Sequence, residues 1–105
     1  MTGFQDRERA EAEQFAHDAD TLFRIQARRN RLLGEWAAQR MKLSPAETEA
    51  YAKGVVQADF EEAGDEDVIR KLMGDIIAAG ADTTEGEVRL MLEAKQVEAR
   101  RQFLT

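Results

Sequence analysis

Apolar side chains recur at helical spacing along three segments in the second part of the chain. Between Asp65 and Gly80 they fall at i, i+3 and i+4 and form a stripe along one helical face. The residues predicted to face the core are Tyr51, Ala52, Val55, Val56 and Phe60, then Val68, Ile69, Leu72, Met73, Ile76 and Ile77, then Val88, Met91, Leu92 and Phe103. No segment alternates with the period of two that strands require. The pattern predicts an all-α chain.

A fourth helical segment, the first in the chain, stands out by its length. Asp6 to Met41 contains no proline and one glycine, Gly34, so a single helix here is ~54 Å long and the others about half that. Large apolar groups are few in residues 1–20 and frequent in residues 32–41. We therefore predict an N-terminal arm over residues 1–19 that overhangs a four-helix globular domain over residues 20–105.

Residues that begin and end helices divide the chain into these four elements. The stretches 44–47 and 84–87 match the capping box, and Pro45 occupies the first helical position. Gly64 and Gly80 are typical of C-terminal caps on the preceding helices. Because the connecting loops are short, sequential helices should run antiparallel as a four-helix bundle.

Two glycines lie inside predicted helices. Gly34 and Gly54 each cost about 1 kcal/mol relative to alanine, and we interpret both as points of close helix–helix approach. Trp36 lies in the most apolar part of the first helix and is predicted to anchor the core.

Charge is unevenly distributed in a chain whose net charge is −6. Residues 21–42 carry six basic groups against one acidic group, whereas residues 43–87 carry twelve acidic groups against three basic ones. The acidic total argues against nucleic-acid binding, because duplex affinity depends on neutralising phosphates. No cysteine is present, and no apolar run approaches the ~20 residues that span a bilayer. We expect a cytoplasmic protein with no membrane insertion.

Few residues offer chemistry. His17 is the only histidine, and with Asp18 and Asp20 it spreads around a helix rather than converging on a metal. Nucleotide-binding and metalloprotease motifs are missing, so we predict a protein that is not an enzyme and holds no metal. The basic cluster Arg28, Arg29 and Arg31 spans nearly a full turn, which fits either pairing with acidic helices or binding of a phosphate or acidic partner.

Three stretches, taken together, resemble a known family. They are Phe15 to Asp18, Ala27 to Ala38, and Tyr51 to Lys53 followed by Ala58 to Val68, and the opening Phe4 with Asp6 to Ala10 fits as well. In order and spacing they resemble the zeta subunit of alphaproteobacterial F-type ATP synthases, an inhibitor of ATP hydrolysis.

The resemblance implies that the arm enters a catalytic α/β interface of the synthase head and reaches towards the rotor subunit γ, while the bundle anchors outside. The inhibitory residues would be Phe4, Asp6, Arg7, Arg9, Ala10, Phe15 and His17. The family also implies ADP or ATP as a regulatory ligand of the bundle, for which Arg28, Arg29 and Arg31 are the candidates. Glu11 and Gln14 depart from the pattern, since relatives often carry bulkier or basic groups there.

Other functions remain open at the level of the sequence. One is a small helical adaptor that senses ADP or ATP on the bundle without direct inhibition. Another is nucleic-acid binding by residues 24–42, and a third possibility is that the first residues are a frayed terminus without function.

Overall fold

The chain folds into four α-helices. The computed structural model describes the backbone of residues 2–61 and 64–104 and the side chains of residues 19–59 and 64–103. The helices are α1 (Thr2–Arg40), α2 (Pro45–Glu61), α3 (Asp65–Ala78) and α4 (Glu85–Leu104), and the described backbone contains no strand. The predicted all-α fold with four helices is confirmed.

Helix α1 is much longer than the others. Its 39 residues give a length of ~58 Å, against ~30 Å for the 20 residues of α4. The molecule measures 65 × 24 × 22 Å, so α1 runs along the long dimension and its N-terminal part extends past the other helices. The predicted overhang is confirmed, and the boundary between residues 19 and 20 stays a prediction.

Both predicted capping boxes form. Glu47 N–H donates to Ser44 Oγ at 3.2 Å, and Ser44 N–H donates to Glu47 Oε1 at 2.9 Å. The hydrogen bond from the backbone N–H of Ser44, followed by that from its hydroxyl, lowers the pKa of the Glu47 carboxyl. Thr84 and Glu87 repeat the reciprocal pair at 3.2 and 3.3 Å. Gly64 occupies the N-cap position of α3. Its predicted role at the end of α2 depends on residues 62 and 63, which lie outside the described residues.

Helices α1 and α2 approach most closely at Gly34. A Cβ there would lie 3.0 Å from the Cα of Ala52 and 3.2 Å from Cγ2 of Val55, so a larger residue would push the helices apart. The predicted close approach at Gly34 is confirmed. At Gly54 no atom of the residues that the structure describes lies within 4 Å of the corresponding position, and the same prediction is wrong there.

Helix α1 also packs along α4, in antiparallel orientation. Arg40 of α1 pairs with Glu87 near the start of α4, whereas Arg29 reaches Gln96 further along it. Helix α3 closes the bundle against α2, where the Tyr51 hydroxyl donates to Asp75 Oδ2 at 2.7 Å. Burial and this hydrogen bond raise the pKa of Tyr51.

One apolar core lies between the four helices. Its buried members are Leu33, Ala37, Val55, Val68, Ile69, Leu72, Ile76, Val88 and Leu92, with Trp36, Met41, Tyr51, Met73, Ala81 and Met91 packed against them. Trp36 is half-buried, and the Arg40 guanidinium lies 5.5 Å from its ring centroid. The core supports the C-terminal half of α1, from Ile25 onward.

Three residues predicted to face the core do not pack in it. Val56 is partly buried and is not among the core side chains. Ile77 is 69% exposed and Phe103 is 41% exposed. Both lie in the last turn of their helices. In α3 the adjacent Ile76 is fully buried, so in that turn Ile76 and not Ile77 faces the core. Phe60, predicted on the core face of α2, lies outside the described side chains.

Candidate functional site

A partly buried polar cluster, with Arg29 and Asn30 at its centre, holds α1 at the point where it enters the bundle. We call it the root cluster; its residues are Gln26, Arg29, Asn30, Asp59, Asp65 and Gln96. The Arg29 guanidinium donates to Asn30 Oδ1 through Nε at 3.1 Å and through Nη2 at 2.9 Å. Its Nη1 donates to Asp65 Oδ1 at 2.9 Å and to Gln96 Oε1 at 3.4 Å. Arg29 thereby joins α1 to α3 and α4.

Asp59 extends the cluster to α2. Its Oδ2 accepts from Asn30 Nδ2 at 2.9 Å and from Gln26 Nε2 at 3.0 Å. Its Oδ1 is buried and has no hydrogen-bond partner among the described residues. Each of the three other helices therefore contributes one polar side chain that holds α1 at this level: Asp59 from α2, Asp65 from α3 and Gln96 from α4.

The cluster has a structural consequence for α1. Arg29 is 4% exposed and Asn30 is 1% exposed, and burying such groups costs free energy unless their hydrogen bonds are kept. Their hydrogen bonds form with α1 in the observed position along the bundle. The root cluster thus fixes the position of α1 where it leaves the bundle.

Beside the root cluster lies an open groove on the outer surface of α1. The groove has a volume of about 590 Å³ and is lined by Phe23, Arg24, Ala27, Arg28 and Arg31 of α1, Lys53, Val56 and Gln57 of α2, and Phe103 of α4. Its apolar part consists of two exposed phenylalanines, Phe23 at 52% and Phe103 at 41%, together with Ala27 and Val56. Its polar part is basic.

The basic side chains of the groove differ in their ion pairs. Arg31 Nη2 lies 2.6 Å from Glu49 Oε2, a contact that raises the pKa of Arg31 and lowers that of Glu49. Lys53 lies 3.8 Å from the same carboxylate, on its Oε1. Arg24 pairs with Asp20 one turn away, at 3.2 Å.

Arg28 has no ion pair with any side chain that the structure describes, and it is exposed. Exposed ion pairs such as those of its neighbours contribute little to stability. The groove cations therefore remain able to exchange their present partners for a ligand's charges.

The structure separates the three arginines that were predicted to hold a nucleotide. Arg28 and Arg31 line the groove, whereas Arg29 faces the interior of the bundle in the root cluster. The side chains of the predicted arm residues lie outside the described residues; these are Phe4, Asp6, Arg7, Arg9, Ala10, Phe15 and His17.

The predicted pairing of the basic cluster with acidic helices is observed for Arg29 with Asp65 of α3 and for Arg31 with Glu49 of α2. The uncharged members of the root cluster and the apolar part of the groove are not predicted from the sequence. A signal for the cluster was available, because Gln26 and Asn30 are uncharged polar residues one turn apart on the helix that buries Ile25 and Leu33. Phe103 was assigned to the core instead of the groove. Phe23 and Lys53 were given no role, since nothing local in the sequence places them side by side.

Metal and membrane signals are weak in the described part of the chain. Among the described side chains, no three His, Cys, Asp or Glu residues converge in a way that would hold an ion. Within the described helices, no stretch is both long enough and apolar enough to cross a bilayer.

Comparisons with known proteins give one matching family model and a similar solved structure. A family model described as ATPase inhibitor subunit zeta matches residues 1–102. A protein solved by solution NMR is similar to this chain at 45% identity with a TM-score of 0.69, over 78% of this chain and 93% of its own. No curated protein matches the chain significantly.

Proposed function

Because the chain belongs to the ATPase inhibitor subunit zeta family, we propose that it inhibits ATP hydrolysis by an F-type ATP synthase through its N-terminal arm. The arm, residues 1–19, enters a catalytic α/β interface of the head and blocks rotation of γ in the hydrolytic direction. The protein acts as a regulator and not as an enzyme. Its place of action is the cytoplasmic face of the inner membrane.

The observation that supports this mechanism most directly is the overhang of α1. A helix of ~58 Å extends from a bundle whose other helices are about half as long, and the root cluster fixes it where it leaves the bundle. A blocking element must bear load between a moving rotor and a fixed anchor. A continuous helix held by side chains of three others has the stiffness that this task requires.

Inhibition is tested with the purified full chain and its cognate ATPase head. We expect hydrolysis to fall as the protein is added, and affinity capture from membranes to recover the α, β and γ subunits. The variant Phe4→Ala should inhibit less, since a few apolar anchors carry most of an interface's energy. Undiminished hydrolysis at micromolar concentrations, with no binding to the head, would refute the proposal.

A second candidate function is binding of ADP or ATP on the bundle. The observation that favours it is the position of Arg28 and Arg31 in one groove with two phenylalanines, which offers cations to phosphates and aromatic faces to a base. Titration with ADP, followed by backbone amide shifts, should then perturb residues around Arg28. Shifts that are absent, or spread over the whole surface, would remove this candidate.

A further inference from the structure

Building on the proposed inhibition of the ATPase head, we propose that the groove is a second docking point for the same partner. Its occupant is a surface segment of the head in which aspartate or glutamate side chains stand beside apolar ones. The arm would then block the enzyme while the groove holds the bundle against the outside of the head.

The position of the groove on α1 is the first reason. Phe23 follows residue 19 by four residues, a distance of ~6 Å along the helix axis. A partner that receives the arm up to its last residue must therefore come close to the groove. Of all the surfaces of the bundle, those at this level of α1 are the ones that the proposed arm brings nearest to the head.

The exposed aromatic side chains are the second reason. Phe23 and Phe103 come from different helices and leave about half of their surfaces in water, at 52% and 41%. An apolar surface with a polar rim is characteristic of a docking site, and aromatic and arginine side chains are enriched at the centres of protein interfaces. The groove therefore suits an occupant with apolar side chains of its own.

The charge of the groove gives the rest of the occupant's chemistry. Arg24, Arg28, Arg31 and Lys53 lie around it in a chain whose net charge is −6. Three of these four pair with Asp20 or Glu49, and Arg28 is the one of the four with no ion pair to a described side chain. Because exposed ion pairs are weak, the carboxylates of a partner can exchange with those of Asp20 and Glu49. A protein segment with apolar side chains also covers the exposed surfaces of Phe23 and Phe103. An acidic, partly apolar segment fits best.

Two groove variants with matched controls test the inference in the full-length protein. Arg28→Glu reverses the unpaired charge and Phe103→Ser removes an exposed aromatic ring, so each should raise the half-inhibitory concentration about tenfold or more. Maximal inhibition at saturation should be retained, because the arm is unchanged. The controls are Arg70→Glu on α3 and Leu90→Ser on α4, both exposed and outside the groove, and they should leave the half-inhibitory concentration within twofold of wild type.

The results distinguish this inference from the proposed function. If the wild-type protein does not inhibit at all, the proposed function itself fails. If it inhibits and both groove variants inhibit with wild-type potency, only the groove inference fails. The midpoint of thermal unfolding is measured for every variant, and Arg28→Glu, a change of one exposed side chain, should unfold at the wild-type temperature.

A photoreactive phenylalanine analogue at position 103 identifies the occupant. We expect a crosslink to the ATPase head at a segment with carboxylates next to apolar residues. A crosslink to a basic or uniformly polar segment, or to no subunit of the head, would overturn the inference. Amide shifts around the groove on addition of ADP, abolished by Arg28→Glu while head binding is unaffected, would assign the groove to a nucleotide instead.

Discussion

At the scale of single residues, two adjacent arginines have opposite roles. Arg28 is exposed in the groove, whereas Arg29 is 4% exposed and donates to Asn30, Asp65 and Gln96. Helical periodicity explains the difference, since adjacent positions are about 100° apart on a helix of 3.6 residues per turn. The basic segment of the sequence therefore contributes to two different places in the fold. Arg29 belongs to the structural root cluster, and Arg28 is available for binding in the groove.

Replacing each of the two arginines with alanine tests this difference. Arg29→Ala should lower the free energy of unfolding by about 1–3 kcal/mol, because the buried Asn30 Oδ1 loses both of its Arg29 donors. Arg28→Ala, the matched control, should change it by less than about 0.5 kcal/mol, as exposed substitutions usually do. Urea unfolding measures both, and equal effects would contradict the assignment of Arg29 to the root cluster.

At the scale of helices, α3 places its apolar stripe in the core except at its end. Leu72 is fully buried and Ile77 is 69% exposed. Leu72→Ala should cost about 2–5 kcal/mol, the range for buried leucines. Ile77→Ala, the control on the same helix, should cost less than about 0.5 kcal/mol. Both values come from denaturant unfolding, and a small effect at Leu72 would mean that the stripe does not pack as observed.

The first capping box makes α2 sensitive to acid. The pKa of Glu47 is lowered from 4.5 by hydrogen bonds from Ser44, first from its backbone N–H and then from its hydroxyl. A carboxyl group whose pKa is lower in the folded protein than in the unfolded protein stabilises the fold at any pH above its pKa in the unfolded protein. This stabilisation is lost as the pH falls through the pKa of the group in the folded protein. Ser44→Ala should therefore raise the pKa of Glu47 towards 4.5 in a carbon-detected NMR titration. An unchanged pKa would show that the hydroxyl contributes nothing, and Thr84→Ala, in the other capping box, should leave Glu47 unaffected.

At the scale of the whole molecule, the sequence predicted what local patterns determine. Helix number, the two capping boxes, the close approach at Gly34 and most of the core follow from spacing within one segment. The root cluster and the groove could not be predicted this way, because Asp59 and Phe103 reach α1 only after separate helices have packed. Periodicity places Phe103 on the core face of α4, whereas in the fold its side chain is 41% exposed and lines the groove with Phe23.

The overhang leads to a prediction about the complete chain. Deleting residues 1–19 should abolish inhibition of the ATPase head while changing the free energy of unfolding by about 1 kcal/mol or less. The physical reason is that the first 20 residues contain only Met1, Phe4 and Phe15 as large apolar groups, so their removal takes little apolar area out of the core. The buried part of α1 begins at Ile25, and the root cluster begins at Gln26; both remain in the shortened chain.

Two measurements on this truncated chain, each beside the full-length protein, decide the outcome. Steady-state hydrolysis by the head tests the arm, and urea unfolding followed by Trp36 fluorescence tests the bundle, since Trp36 packs against the core. A shortened chain that still inhibits fully would show that the arm is not the blocking element. A shortened chain that unfolds would show instead that the first turns of α1 contribute to the core. From the arrangement of α1 we expect the shortened chain to keep its stability and to lose inhibition. We also expect it to bind the head through the groove, more weakly than the full-length protein but measurably.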